Sequence, residues 1–268
     1  MENERMRIRN GSLTAVVVLL GGFLPAGLAQ AHDIWMTPEA GPAGVQVVIH
    51  HGHPGDRKVP DPDKLIDLCV IGPDGQDRLP PGSLVPAMRD GNPVLLVPPL
   101  STTASSGTWL FSARYDNGYW VKTPQGYRNT SKRQAPDAAD SLYSMKYVKA
   151  LVTAGPATPE AYRRVLGHRL ELVPMDNPFA VPVGSKLRVL VLFEGKPLVG
   201  VGVEIGDGVT PRKEEDIPRY LTNGDGIAQV PITKAGLQVL VVDHTAASRH
   251  PDLVDKELMA ATLSFVVQ

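Results

Sequence analysis

Through most of this chain apolar residues recur at every second position, the period of a strand that buries one face. Val45, Val47 and Ile49 keep one parity and run into His50-His51, so residues 45–51 read as a strand. Trp109, Phe111 and Ala113 alternate with Leu110, Ser112 and Arg114. Residues 65–71, 94–97 and 147–152 add strands to the first half. Residues 170–174, 186–193, 201–205, 227–232, 237–242 and 258–267 supply those of the second. Turn chemistry separates them, as in Gly72-Pro73-Asp74-Gly75, Glu194-Gly195-Lys196-Pro197 and Asn223-Gly224-Asp225-Gly226. The period breaks once. Thr158-Pro159-Glu160 reads as a helix start and Gly167 as its stop, predicting one short helix over residues 159–166. Residues 122–141 are polar and irregular and read as a long exposed loop.

Strands at regular spacing with Gly-rich turns predict an all-β protein rather than βαβ units. The expected architecture is two immunoglobulin-like or transthyretin-like β-sandwiches in series, over residues 32–157 and 170–268, joined by a linker helix at 158–169. The 26 glycines and 25 prolines fit many turns and short strands.

The first 31 residues carry a different pattern. Arg5, Arg7 and Arg9 precede an apolar run of 12 residues, 13–24, broken only by Thr14, Gly21 and Gly22. Ala29-Gln30-Ala31 then offers small residues at a cleavage position. This is the arrangement of an export signal and is too short for a membrane-spanning helix. Cleavage would leave His32 as the first residue of a periplasmic or secreted protein. It would also leave 24 basic and 26 acidic residues, a net charge of −2, which points away from nucleic acid and anionic membranes. Cys69 is the only cysteine, so no internal disulfide is possible, and its apolar surroundings suggest a buried thiol.

An N-terminal histidine offers one metal ion two nitrogens, its α-amine and its ring. His50-His51-Gly52-His53 adds three histidines where the first strand runs out. On an extended backbone His51 and His53 would share a face, roughly 6.5–7 Å apart. His244 and His250 fall after the strand at 237–242, in a connection of about 14 residues, and His244 completes a site if the two halves meet there. The candidate metal ligands are therefore His32, His53, His51 and His244, with His50 and His250 behind them and His168 structural. Imidazole donors without thiolate suit nickel, cobalt, copper or zinc. The sequence holds no G-x-S-x-G elbow, paired-cysteine zinc motif, phosphate-binding glycine loop or H-E-x-x-H helix.

Several segments carry a resemblance. They are Ala31-His32-Asp33-Ile34-Trp35, Gly52-His53-Pro54-Gly55, Leu170-Glu171-Leu172-Val173-Pro174 with Asn177-Pro178, Glu194-Gly195-Lys196-Pro197-Leu198, Asn223-Gly224-Asp225-Gly226 and Ala260-Ala261-Thr262-Leu263-Ser264-Phe265. In this order the chain resembles exported proteins described as periplasmic components of nickel/cobalt ABC-type uptake systems. The resemblance implies a non-enzymatic β protein that binds nickel or cobalt and hands it to membrane importer subunits. His32 and His53 carry over as the first ligands and His244 as a further one. Two other classes stay open on the residues alone. One is a copper carrier or N-terminal-histidine copper enzyme, the other a structural or adhesive sandwich with incidental histidines.

Overall fold

The computed structural model describes residues 33–78, 84–100 and 106–268. The leader and His32 lie outside the described residues. The protein is nearly all β, and its strands form three sheets stacked as sandwiches.

The first sheet holds β1 (Asp33–Gly41), β2 (Gly44–His53), β3 (Asp56–Lys58), β6 (Val85–Arg89) and β7 (Asn92–Leu96). It runs in the order β1-β2-β7-β6, with β3 paired to the end of β2. The central sheet is longer. It contains β4 (Leu65–Gly72), β5 (Gly75–Arg78), β8 (Gly107–Thr123), β9 (Gly126–Arg128) and β10 (Asp140–Ala154) from the first half. From the second half come β14 (Gly202–Gly206), β15 (Arg219–Leu221), β17 (Gly236–Ala247) and β18 (Lys256–Val267). Its order is β15-β14-β17-β18-β10-β8-β4-β5, and the halves join where β10 and β18 pair in parallel. The third sheet holds β11 (Leu170–Pro174), β12 (Lys186–Phe193), β13 (Lys196–Pro197) and β16 (Ile227–Pro231).

Alternation along the central strands explains the stacking. Trp109, Phe111, Ala113 and Tyr115 of β8 point one way, with Val148, Ala150 and Val152 of β10. They meet Ile34, Met36, Val45, Val47 and Ile49 of the first sheet. Leu110, Tyr147, Leu151, Ala261 and Leu263 point the other way and meet Leu170, Leu172, Leu187, Val189 and Val191 of the third. One sheet buried on both faces thus serves two cores. This is why its central strands read as nearly continuous apolar runs.

β1 is an edge of its sheet, so its outward carbonyls need partners. The Thr262 hydroxyl donates to the Ile34 carbonyl at 2.9 Å, and the Ser264 hydroxyl donates to the Met36 carbonyl. These two bonds fix the first strand onto β18 from the far end of the chain.

Three sequence expectations change. The segment 122–141 is not all loop, because β8 extends to Thr123 and pairs with β10 back to Asp140. Its polar residues belong to strand ends that are only partly covered. The helix is one turn, α1 (Pro159–Tyr162). The Glu171 carboxylate takes the backbone N–H groups of Leu166, Gly167 and His168 at 2.7, 3.0 and 3.2 Å, and Lys149 donates to the Arg164 carbonyl at 3.1 Å. Those groups are therefore held in a non-helical path. Finally, His244 is not in a loop. It lies inside β17, which pairs with β18 as far as Ala247↔Lys256.

Candidate functional site

Gly52 decides how the histidines are arranged. It adopts φ +111°, and a Cβ there would meet the Asp56 carbonyl oxygen at 2.3 Å. The tight return of β3 against β2 therefore requires glycine. The positive φ also breaks the simple alternation that would set His51 and His53 side by side.

His51 faces inward, with its ring 5.3 Å from that of Tyr115 and Nδ1 3.5 Å from the Val59 carbonyl oxygen. His53 instead meets the first residue of β1, its Nδ1 3.9 Å from the Asp33 carboxylate. Asp33 pairs with Gly52 across the hairpin, so the strand register sets this meeting. His50 points to the outer face, where its ring stacks on Trp35 at 5.1 Å and Nε2 lies 2.9 Å from the Thr37 hydroxyl. Burial, reinforced by Arg57, pushes the His50 pKa down to about 4, so it is a neutral packing group. Arg57 lies over Trp35 at 4.1 Å and donates to the Gly208 carbonyl. A loop from the second half thereby covers the outer side of this corner.

His244 stands on the opposite face of the central sheet from this corner. It neighbours Met259 in the register, and its ring is 4.5 Å from Phe193 of the third sheet's β12. Burial lowers its pKa. The structure therefore does not bring His244 to His53. His168 is packed against Tyr147 at 5.2 Å with Nε2 3.2 Å from the Ser112 hydroxyl. Among the described residues, no three His, Cys, Asp or Glu side chains stand close enough to hold a metal ion. His51, His53 and Asp33 thus make no three-ligand site by themselves.

What surrounds Asp33 was not legible as a site in the sequence. Lys146 and Asp243 both neighbour Ala260 in the strand register, so they project from the same side of the central sheet. Glu204, opposite Val241 on β14, shares that side. Arg219 pairs with Glu204 at 2.7 Å and with Glu214. Lys146 is 2 % exposed, and its ammonium has no hydrogen-bond acceptor among the described residues. Burial raises the Asp33 pKa to about 7, against the pull of Lys146 and with the push of Asp243, Glu204 and Glu214. Asp243 keeps access to solvent but is crowded by protein, and it too is raised. The missed signal was Asp33 itself, an acid directly after the candidate first residue.

The model of a family described as a domain of unknown function, DUF4198, matches residues 29–246. The chain belongs to this family. The DUF4198 match takes in about four-fifths of the sequence, from ahead of β1 to within β17, and so includes His32, the histidines of β2 and His244. Its description gives no ligand and no partner. No curated protein matches this DUF4198 chain. Among the described residues no helix is long and apolar enough to cross a membrane.

Proposed function

We propose that this protein binds a divalent transition metal ion, nickel or cobalt first, at the start of β1, and passes it to a membrane importer. The observation that carries the proposal is the Asp33 carboxylate 3.9 Å from His53 Nδ1, with the carboxylates of Asp243, Glu204 and Glu214 acting on it. The proposed ligands are His53, Asp33 and the export-generated His32. Adjacent α-carbons are about 3.8 Å apart, so the α-amine of a chain beginning at His32 is tethered within reach of Asp33. His32 then supplies two nitrogens, His53 a third and Asp33 an oxygen, a set suited to a borderline first-row ion. His51 and His244 are left out of this ligand set. The ion is cargo: neutral imidazole and a free amine hold it, and protonation of those donors weakens the hold as pH falls below about 6.5–8.

The test is calorimetric titration of nickel, cobalt, copper and zinc into protein exported from its natural precursor, with mass spectrometry to identify its first residue. The same protein with one alanine added before His32, and the variants His53→Ala and Asp33→Asn, are the comparators. Stoichiometric, sub-micromolar binding that each change weakens at least about tenfold is the expected result. Equal binding in all four proteins refutes it, as does weak binding throughout. Nickel or cobalt bound no better than zinc would remove the importer assignment. Tight copper binding with oxidase chemistry would favour the enzyme alternative.

A further inference from the structure

On the other side of the central sheet, away from Asp33, lies a groove of about 670 Å³, within the usual range for small-molecule sites. Three guanidinium groups line it: Arg114 of β8, Arg169 just before β11 and Arg249 after β17. Its wall is the chain at 166–169, held in place by the buried Glu171 carboxylate. Tyr147 and His168 also line it. Burial keeps His168 neutral near pH 7, so it adds no charge of its own.

The arginines are occupied by the protein's own carboxylates, and those carboxylates are of two kinds. Glu257 pairs with Arg169 and is 8 % exposed at the side chain, a permanent counter-charge. Glu194 and Asp67 are different, with side chains 40 % and 48 % exposed. One oxygen of Glu194 takes both the Arg169 Nε at 2.9 Å and the Arg249 Nη2 at 2.6 Å. Asp67 pairs with Arg114. Both acids sit at left-handed φ, +52° and +53°, where only three non-glycine residues are described in all. Glu194 takes this φ in the two-residue turn between β12 and β13, and Asp67 at the irregularity of β4 against β8. Two exposed carboxylates therefore stopper a set of arginines that is otherwise in excess.

We infer that this groove binds a small organic dianion of the dicarboxylate class, whose two carboxylates take the arginines from Glu194 and Asp67. The charge count supports the dianion. With both stoppers swung into solvent, three guanidinium groups face only Glu257, leaving two positive charges. The planar fork of guanidinium suits carboxylate, and Glu194 and Asp67 each use only one oxygen on these arginines. Little is lost in releasing them, because exposed ion pairs are weak. This inference is independent of the metal proposal.

The test is low-salt calorimetry on the exported protein with succinate as probe and acetate and inorganic phosphate as comparators. Succinate binds saturably, about tenfold or more tighter than acetate or phosphate. Arg249→Ala weakens succinate binding at least about tenfold, while Glu194→Gln tightens it about fivefold. A gain in affinity cannot come from misfolding, so Glu194→Gln decides the matter even if Arg249→Ala is unstable. No saturation by about 10 mM in either the parent or Glu194→Gln overturns the inference, as does phosphate or acetate binding as tightly as succinate.

Discussion

The Lys149–Glu171 pair is the interaction whose removal should harm the fold most. Lys149 is 3 % exposed and Glu171 1 %, with Nζ and Oε1 2.5 Å apart. Lys149 also donates to the Arg164 and Leu172 carbonyls at 3.1 and 3.2 Å. Glu171 also accepts the three N–H groups of residues 166–168. Burial lowers the Lys149 pKa and Glu171 opposes the shift, so the carboxylate is what keeps the ammonium charged inside. Glu171→Gln keeps one acceptor oxygen for the backbone but leaves the ammonium without its counter-charge. Breaking a buried pair by removing one partner costs about 3–5 kcal/mol. Lys149→Met in the same background removes the stranded charge. The double variant should lie about 1–2 kcal/mol below the parent, the cost of imperfectly satisfied backbone groups. Urea unfolding of the two single variants and the double completes the cycle, with a coupling energy of about 2 kcal/mol or more expected. A loss under about 1 kcal/mol for Glu171→Gln, or a coupling under about 0.5, would refute the reasoning.

Gly52→Ala places a Cβ against the Asp56 carbonyl in a backbone conformation L-residues avoid. It should cost about 2 kcal/mol or more by urea unfolding and displace His53, and an unfolding midpoint equal to the parent's would count against the tight β2–β3 return. His50 and His168 have folded pKa values near 4 against 6.5 unfolded, so the unfolded chain binds more protons between those values. Their contribution is complete above pH 6.5 and is lost as pH falls toward 4. Replacing both with Asn should flatten that part of the stability–pH curve relative to the parent, and parallel curves would contradict the assignment.

The strand period was a sound guide to the fold because the central sheet is buried on both faces. Residues such as Phe111, Val148 and Leu263 have nowhere polar to point, so their strands stand out in any reading of apolar positions. The strands at 170–174 and 186–193 have the same bounds in sequence and structure. The pattern failed at strand ends. Asp243 and His244 follow Val242 with the look of a loop, yet they continue β17 beyond the sandwich core. Their alternation is real, but beyond Val242 only Ala246, a small residue, marks it. The helix failed for another reason. Good capping chemistry at Thr158-Pro159-Glu160 could not prevail over a buried carboxylate that takes the next turn's N–H groups, and Glu171 lies too far along the sequence to suggest this. The site was half legible. His53 stands out by its chemistry, whereas Asp33, directly after His32, does not. Lys146, Asp243 and Glu204 become neighbours only through the register of four strands, β10, β18, β17 and β14, drawn from both halves.

That register bears on the site proposed at the start of β1. A free N-terminal residue is ordinarily mobile, and a ligand on it would lose ordering entropy whenever it bound. Here the next four residues are fastened from several directions. Ile34 and Met36 are buried in the first core, and their carbonyls take hydroxyls from Thr262 and Ser264. Trp35 is closed between His50, Arg57 and the loop at Gly208. The last strand of the chain thus holds the first strand in place, and the second half supplies the carboxylates that surround Asp33. Loosening β1 from β18, as Thr262→Val with Ser264→Ala would do, should weaken any ligand held at Asp33 without touching a single donor atom. A first strand of this kind positions Asp33 as firmly as a residue within the sheet, which is what the proposed site requires.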